Sequence, residues 1–338
     1  MKLQENFNLR PFNTFGITAQ ARWFAEATDS ESLFQLLQYR EKLSVPLLIL
    51  GGGSNVLLVN NFDGIVIRIA IKGVSQQVEG NDTAIFEVSA GESWEMLVDR
   101  SVAGGWGGIE NLAMIPGSVG AAPIQNIGAY GAELKDVLVH LEALDLSSYL
   151  IKRFTKEECR LGYRTSIFKQ EAKSRFVILK VVLRLNRSNV VNLSYPGLEK
   201  EVREASKNPT IADVSSAVKR LRKSKLPDPL LLANAGSFFK NPDVDLSTYR
   251  HLTEQHPKLV AYPYETGRYK LATAWLIEQC GWKGYRNGDA GVHSKQPLVL
   301  VNYGNASGCQ ILDLANRIRD SVEAKFGVRL EPEVNIII

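Results

Sequence analysis

Residues 105–131 constrain the fold of this 338-residue chain more than any other stretch. The segment holds seven glycines and two prolines, and Glu110 is its only charged residue. An interior glycine costs a helix or strand about 0.5–1 kcal/mol relative to alanine, so regular structure is disfavoured here. A surface linker would carry more charge and more serine. We therefore expect a mostly buried, irregular backbone, which either packs only against the protein or lets a large, flat ligand approach the main chain.

The composition argues against several classes of protein. Hydrophobic residues make up 45% of the chain and charged residues 22%, as in ordinary globular proteins, and the length suggests two or three domains. The net charge is +4 and no long basic run occurs, so nucleic-acid binding is not indicated. The densest basic run, residues 219–225, is typical of a solvated helix face.

The cysteines and the N-terminal residues indicate a compartment. Cys159, Cys280 and Cys309 are far apart and form no Cys-x-x-Cys motif, which disfavours a disulfide framework and a zinc site. The first residues contain no apolar signal core, and the long uncharged runs are broken by Gly, Pro and Asn. We expect a cytoplasmic protein without a bound metal or a membrane attachment.

A second glycine cluster, residues 51–55, follows the predicted buried strand Leu47–Leu50 and leads into further strands. It is not a Walker loop, because no Gly-Lys-Ser/Thr follows, and it does not fit Gly-x-Gly-x-x-Gly leading into a helix. Free backbone N–H groups in such a turn can bind a pyrophosphate. Two glycine clusters beside strands argue for an elongated ligand with a phosphate part and a flat part, such as a nucleotide or a flavin. Neither cluster contains His or Cys, so non-covalent binding is expected.

Several helices can be predicted from capping signals and periodicity. Capping boxes at Thr28-x-x-Glu31 and Thr210-x-x-Asp213 predict two helix starts, and residues 308–326 show the strongest helical pattern. A further helical face is predicted from Leu271, Ala274 and Trp275. Strands are expected over Val137–Leu146 and Arg175–Leu185, and at the C-terminus over Val334–Ile338.

Three kinds of side chain are candidates for chemistry, each with a plainer alternative. A lone arginine such as Arg164 is most often a surface ion-pair partner, although its guanidinium can also hold a carboxylate. Ser237 lies in a turn, where serine usually caps the backbone, but its hydroxyl can also transfer a proton. No Gly-x-Ser-x-Gly motif surrounds it, so hydrolase chemistry is not supported. Of Glu331 and Glu333, one is expected to be merely solvated.

Six motifs, taken together and in order, resemble the UDP-N-acetylenolpyruvoylglucosamine reductase family. They are Asn13-Thr14-Phe15-Gly16, Leu50-Gly51-Gly52-Gly53-Ser54-Asn55, Ile115-Pro116-Gly117-Ser118-Val119-Gly120, Asn126-Ile127-Gly128-Ala129-Tyr130-Gly131, Tyr163-Arg164 and Gly236-Ser237-Phe238-Phe239-Lys240-Asn241-Pro242. Each motif is weak alone, but the ordered set is specific, and the resemblance runs from about residue 8 to the C-terminus.

The resemblance implies an α+β fold: a FAD-binding fold of the vanillyl-alcohol-oxidase type in two parts, followed by a C-terminal α+β substrate domain. The implied parts are residues 1–72 with 328–338 returning to them, 73–226, and 227–327. It also implies that NADPH reduces a non-covalent FAD, which then reduces UDP-N-acetylglucosamine enolpyruvate to UDP-N-acetylmuramate for peptidoglycan, and hence for cell shape and division. A monomer is expected.

The resemblance also assigns residues position by position. Ser237 matches the proton donor, and Arg164 and Glu333 match the pair that stabilises the enol form. The FAD-binding positions are Leu50, Gly51, Gly52, Gly53, Ser54, Asn55, Ile115, Pro116, Gly117, Ser118, Gly120, Ala121, Gln125, Asn126, Gly128, Ala129 and Tyr130. The substrate or NADPH positions are Tyr163, Tyr195, Lys225, Asn241, Tyr262, Lys270 and Gln296, with Tyr195 matching the tyrosine that closes over UDP in the longer subtype.

Two departures and two rival functions accompany this resemblance. Asn335 stands where the family more often has Arg, and Pro196 follows Tyr195 where a more flexible residue is expected. One rival is an oxygen-using alcohol oxidase on the same flavin fold. The other is a non-redox UDP-sugar-binding protein, which would have no need of a proton donor at Ser237. Within the basic run, residues 219–225, only Lys225 is assigned to the substrate or NADPH site. Its neighbours are expected at the surface.

Overall fold

The computed structural model describes residues 2–187 and 190–338. In chain order the strands are β1 Gln4–Asn8, β2 Gln20–Ala27, β3 Leu47–Leu50, β4 Val56–Leu58, β5 Phe62–Ile69, β6 Val74–Glu79, β7 Thr83–Ser89, β8 Gly128–Ala129, β9 Ala132–Glu133, β10 Leu138–Asp145, β11 Ile151–Thr155, β12 Phe176–Asn186, β13 Ala233–Ser237, β14 Asp243–Asp245, β15 Ala261–Pro263, β16 Arg268–Leu271, β17 Arg286–Asn287, β18 Ala290–Val292, β19 Val299–Asn302 and β20 Asn335–Ile337. The α-helices are α1 Ser30–Leu43, α2 Trp94–Ala103, α3 Leu198–Ala205, α4 Ile211–Lys225, α5 Leu246–Gln255, α6 Thr273–Gln279 and α7 Gly308–Phe326.

The chain forms two compact units. The larger unit contains residues 21–52 and 63–224, together with the N-terminal segment up to Phe7. The smaller unit contains residues 8–20, 53–62 and 225–338. Among the described residues, no helix has the length and apolar character needed to cross a membrane.

The larger unit contains two main sheets. The first has the strand order β1-β2-β5-β3, with β3 and β5 parallel, and α1 buries Leu33, Leu36 and Leu37 against it. The second has the order β11-β10-β12-β7-β6 and is antiparallel throughout. Helix α2 shares one hydrophobic core with this second sheet and with much of the glycine-rich stretch. That stretch contains two 3₁₀ turns, Glu110–Leu112 and Val119–Gln125, so the predicted irregular backbone is confirmed.

The smaller unit is built on the antiparallel sheet β13-β19-β18-β17. Helix α7 packs against β18 and β19 through the apolar stripe Ile311, Leu314, Ile318 and Val322. A second sheet has the order β14-β16-β15, and the last strand, β20, pairs in parallel with β4. Gly308, the first residue of α7, lets this helix lie against β4, because a Cβ there would be 1.9 Å from the carbonyl oxygen of Leu58.

The structure confirms some predicted elements and corrects others. Helix α7 has the predicted bounds, since a Ser307–Gln310 capping box starts it and Gly327, with φ 65°, ends it. Helix α1 is capped by Asp29 rather than Thr28, because Asp29 accepts the Ser32 N–H at 2.7 Å. This bond also lowers the pKa of the Asp29 carboxyl. Leu271 ends strand β16 instead of joining a helix, and α6 buries Thr273, Leu276 and Ile277.

Candidate active site

Within the larger unit, the two glycine clusters touch through their backbones. A Cβ on Gly52 would lie 2.8 Å from the Cα of Gly117, and one on Gly51 would lie 2.5 Å from the Oγ of Ser118. Carbon atoms pack best at about 3.5–4.0 Å, so neither position accepts a side chain without movement. Gly51 and Gly52 therefore present bare main chain, which faces the Gly117 backbone and the Ser118 side chain.

The turn that follows Gly52 is fixed within the smaller unit. Gly53 has a φ of 66°, and a Cβ there would lie 1.9 Å from the carbonyl oxygen of Phe12. The N–H of Thr14 donates to the Gly53 carbonyl at 3.1 Å. Asn13 is buried and donates to the carbonyls of Leu9 and Ile17 at 2.9 and 3.0 Å. The Asn-Thr-Phe-Gly motif thus has a structural role: it shapes the segment against which the glycine turn lies.

In the larger unit, Asn126 connects the end of the glycine-rich stretch, residues 105–131, to the loop that carries Arg164. Its side chain is fully buried and donates to Glu133 Oε2 and to the Gly162 carbonyl, both at 3.0 Å. Its Oδ1 accepts the Lys135 N–H at 3.0 Å. Asn126 has a φ of 45°, a left-handed conformation that asparagine tolerates better than most residues.

Arg164 lies in a two-residue turn that is docked on the glycine-rich stretch. The backbones of Gly162 and Thr165 bond to each other on both sides of the turn, at 3.1 and 3.3 Å. The Arg164 Nη2 donates to the Gly128 carbonyl at 2.7 Å. Ser166 adds a bond from its hydroxyl to the Ile124 carbonyl, also at 2.7 Å. The arginine is therefore held by the glycine-rich stretch, unlike a solvated surface residue.

Backbone strain is concentrated in this region. Of the nine described non-glycine residues with left-handed φ angles, four lie here: Met114, Asn126, Tyr130 and Arg164. Such conformations cost on the order of 1–3 kcal/mol each, and they persist only where the surrounding structure enforces them. Strained residues tend to cluster at functional sites, and this group marks the glycine-rich stretch as a candidate site.

Arg222 was expected at the surface, but the residue is only partly exposed. Its Nε is buried and makes no hydrogen bond within the described residues. Burial lowers the pKa of the Arg222 guanidinium, whose electrostatic neighbours include Tyr130 and Arg164. By contrast, Lys219 and Arg220 bond to surface carboxylates of Asp99 and Glu201, as expected.

The helical spacing of Arg222 would have revealed its inward position. It follows the buried Val214 and Val218 at intervals of four residues along α4. Burial also raises the pKa of Tyr130, while the charge of Arg222 opposes that shift. A partly buried cation whose Nε has no partner is suited to an anionic or carbonyl-rich ligand at this place.

Tyr195 also lies next to the glycine-rich stretch. Its ring meets the ring of Tyr130 edge to face, with centroids 5.0 Å apart. Tyr163 lies beside Arg164, whose guanidinium is 5.5 Å from the Tyr163 ring centre. The larger unit therefore brings together the predicted residues Gly128, Tyr130, Arg164 and Tyr195.

In the smaller unit, Ser237 and Glu333 lie on neighbouring backbone segments. The Glu333 N–H donates to the Phe238 carbonyl at 2.8 Å, one residue after Ser237. Glu333 is partly buried, whereas Glu331 is exposed and pairs with Lys240 at 3.3 Å. Of the two glutamates, Glu331 is thus the solvated one.

The departure at Asn335 has a clear structural role. Both its backbone N–H and its side-chain Nδ2 donate to the Asn55 carbonyl, at 3.0 and 3.1 Å. The Asn55 side chain in turn donates to the Glu333 carbonyl at 3.4 Å. Asn335 therefore anchors the glycine turn to the C-terminal segment that carries Glu333.

The predicted substrate positions of the smaller unit lie mainly on β15, β16 and nearby turns. Lys270 is 7% exposed, and its ammonium lies 3.5 Å from the centre of the Tyr264 ring. Tyr262 is opposite Lys270 in the β15–β16 pair and is half exposed. Asn241 accepts the Thr273 N–H at 3.1 Å, and Lys225 is exposed at the end of α4.

Gln296 stands apart from this group, in the turn that precedes β19. Its N–H donates to His293 Nδ1 at 3.2 Å. Within the described part of the chain, no group of His, Cys, Asp and Glu has the arrangement of a metal site.

Comparison with known proteins defines first the class and then the family. Residues 21–152 match the model of a FAD-binding domain. The bare backbone at Gly52 and Gly117 and the orphaned Arg222 Nε suit such a cofactor, so the chain is a flavin-dependent oxidoreductase that binds FAD. Residues 228–337 match the C-terminal domain of UDP-N-acetylenolpyruvoylglucosamine reductase.

Relatives that match over the full length of the chain belong to the same family. The chain is 47% identical over 337 residues to the UDP-N-acetylenolpyruvoylglucosamine reductase of Pseudomonas aeruginosa, covering 99% of each chain. It is 48% identical to the reductase of Amoebophilus asiaticus, covering 100% of each. The crystal structure of the reductase from Thermus caldophilus matches with a TM-score of 0.69 at 24% identity over 100% of both chains. The chain therefore belongs to the UDP-N-acetylenolpyruvoylglucosamine reductase family, and the expected family, α+β fold class and FAD cofactor are confirmed.

Proposed function

We propose that this chain reduces UDP-N-acetylglucosamine enolpyruvate to UDP-N-acetylmuramate, with NADPH as the source of hydride. The observation that carries the proposal is the 47% identity to a reductase of that name across 99% of both chains. The docked turn of Arg164 and the pairing of the Ser237 and Glu333 segments support it, since neither an oxygen-using oxidase nor a passive binder requires a proton donor there.

FAD, when bound, supplies hydride transfer between the nicotinamide and the vinyl ether of the substrate. As hydride arrives at one carbon, negative charge develops on the neighbouring carbon and its carboxylate. We assign the stabilisation of this charge to Arg164, because a fixed guanidinium is most effective where charge appears in the transition state. Its hydrogen bond to Gly128 holds the cation in place before the reaction.

Ser237 is assigned the transfer of a proton to the charged carbon. A serine hydroxyl is a very weak acid, so it can act only towards a strongly basic carbon and in a fixed geometry. The Gly236 N–H donates to Asn234 Oδ1 at 2.9 Å, and the Phe238 N–H donates to the Leu298 carbonyl at 2.8 Å, so the serine backbone is held on both sides. Glu333 is assigned, together with Arg164, the stabilisation of the enol form of the substrate.

The remaining residues are proposed to hold the two nucleotides. Lys270 suits a diphosphate, because a buried ammonium gains most from an anionic ligand. Tyr163, Tyr195, Lys225, Asn241, Tyr262 and Gln296 are assigned to the same substrate and NADPH pockets. The domain limits 1–72 with 328–338, 73–226 and 227–327, a cytoplasmic location and a monomeric state remain predictions, as do roles in cell shape and division.

A visible spectrum of the purified protein tests this function. We expect a yellow protein whose visible flavin absorbance is bleached by NADPH without oxygen and restored by UDP-N-acetylglucosamine enolpyruvate. Restoration by oxygen alone, with no response to the enolpyruvate, would favour an oxidase. A flavin that NADPH does not reduce would contradict the proposal.

A further inference from the structure

The side chain of Asn111 joins two separate loops of the larger unit. It is 1% exposed, and its Nδ2 donates to the carbonyl of Tyr130 at 2.7 Å and to the carbonyl of Asn192 at 2.9 Å. An amide nitrogen has two N–H groups, so both donors of Asn111 are used. One loop is the turn Gly128–Gly131, and the other is the tyrosine segment, residues 191–197, which carries Tyr195.

Asn192 makes a second connection between the same two loops. Its Nδ2 donates to the Gly131 carbonyl at 2.9 Å. Its Oδ1 accepts from the N–H and the hydroxyl of Ser194, at 3.1 and 2.7 Å, which shapes the turn that leads into Tyr195. The loops are so close that a Cβ on Gly131 would lie 2.7 Å from the Ser194 Oγ.

These bonds act on a strained backbone. Tyr130 has a φ of 50°, which is unfavourable for an aromatic residue, and Gly131 follows with a φ of 83°. Asn111 and Asn192 hold the carbonyls of these two residues, and the Tyr130 ring then meets the Tyr195 ring edge to face. The orientation of Tyr195 is therefore tied to the conformation of the Gly128–Gly131 turn.

We propose that Asn111 and Asn192 form a polar clip that positions Tyr195, so that a ligand at the Gly128–Gly131 turn and a ligand beneath Tyr195 raise each other's affinity. The proposal rests on the functions proposed above for Tyr130 at the flavin and for Tyr195 at the uridine nucleotide. Its physical basis is linkage: two ligands that favour the same arrangement of one connected element bind with positive coupling, and the coupling is reciprocal. Asn111 and Asn192 are positioning residues that need not touch either ligand.

The exposed Asn192 allows a test that leaves the core intact. Asn192→Ala removes the bond to Gly131 and the acceptor for Ser194, and Ser194→Ala is the matched control, since it removes only the hydroxyl bond inside the tyrosine segment. The holoenzyme is titrated with UDP and followed by the change in flavin absorbance. A neutral hydrogen bond contributes about 0.5–1.5 kcal/mol, so Asn192→Ala should raise the Kd for UDP by about 2–13-fold, and Ser194→Ala by less.

A second readout separates positioning from general destabilisation. FAD affinity of the apoprotein is measured with and without saturating UDP. In the wild type, UDP should tighten FAD binding, whereas in Asn192→Ala this enhancement should fall towards one while the rate of flavin reduction by NADPH stays unchanged. A merely structural loss would weaken FAD equally with and without UDP, and that result would overturn the proposal.

Tyr195→Ala distinguishes the failure of the clip from the failure of the function on which it rests. If Tyr195→Ala weakens UDP binding and Asn192→Ala does not, the clip is wrong and the assignment of Tyr195 stands. If Tyr195→Ala leaves UDP affinity unchanged, both the clip and the assignment of Tyr195 to the nucleotide are wrong. Weakening by both substitutions, with loss of the UDP enhancement, is the result that the clip predicts.

Discussion

Substitution of Gly52 by alanine tests whether the contact between the two glycine clusters serves FAD or only packing. The new Cβ would lie 2.8 Å from Gly117 Cα, 3.2 Å from Gly117 C and 3.3 Å from Ser118 N. All three are backbone atoms, so no flexible side chain can move aside. Restoring a carbon contact of about 3.5 Å requires the two backbones to separate by roughly 0.7 Å.

The magnitude follows from the cost of overpacking. Inserting a methyl group into a close-packed position costs about 1–3 kcal/mol. In the apoprotein the two glycine clusters can move apart and relieve the strain. If FAD binds only when the clusters are in contact, its binding must restore the strain, and the FAD affinity falls by that amount. We therefore expect the Kd for FAD to rise by about 5–150-fold in Gly52→Ala.

The assay is fluorescence titration of the apoprotein with FAD, and Gly80→Ala is its control. Gly80 lies in the β6–β7 turn, where its φ is 66° and no atom lies within 4 Å of an added Cβ. That substitution should cost stability through the backbone, by about 1 kcal/mol, and leave FAD affinity unchanged. Wild-type FAD affinity in Gly52→Ala, together with reduced stability, would show that the contact serves packing alone and would refute the reasoning.

Three further predictions concern other parts of the molecule. Asn126→Ala removes three partly buried hydrogen bonds, so we expect the free energy of unfolding, from urea titration, to fall by about 2–4 kcal/mol and substrate turnover to fall with it. Arg222→Met keeps the length of the side chain but removes its charge, so we expect weaker FAD binding and a more negative flavin potential in spectroelectrochemistry, whereas Lys223→Met, one residue further on, should change neither. Asp245 caps α5, and backbone bonds to Thr248 lower its pKa to about 2, so its contribution to stability is present above the unfolded pKa of about 4 and is lost as the pH falls through 2. Asp245→Asn should flatten this part of the acid-unfolding curve, and an unchanged curve would contradict the assignment.

The parts of the fold that could be predicted from sequence are those with local signals. Helix α7 was predicted to the residue from its apolar periodicity alone, and the structure shows that Ser307 and Gly327 cap it at the same bounds. Strand β11 was missed, since its sequence Ile-Lys-Arg-Phe-Thr lies at a sheet edge with only Phe154 buried and shows no apolar alternation. The first helix was misplaced by one residue because Thr28 and Asp29 are both good caps and only the geometry decides between them.

The candidate site could likewise be predicted only where its residues carry local sequence signals. The glycine motifs and the Arg164 turn have local sequence signatures, but the bonds from Asn111 to the tyrosine segment span 81 residues and leave no periodic trace. The position of Arg222 was visible in the four-residue spacing along α4, yet the surrounding lysines suggested a solvated face. The pairing of the Ser237 and Glu333 segments joins residues almost a hundred positions apart, which only the folded chain reveals.

The most direct test of the proposed function is a comparison of the two half-reactions in Ser237→Ala by stopped-flow spectroscopy. Reduction of the flavin by NADPH should proceed at the wild-type rate, because no proton from Ser237 is needed there. Re-oxidation by UDP-N-acetylglucosamine enolpyruvate should slow by roughly 10²–10⁴-fold, the usual contribution of a positioned acid. Equal slowing of both half-reactions, or normal re-oxidation, would contradict the assignment of Ser237 as the proton donor.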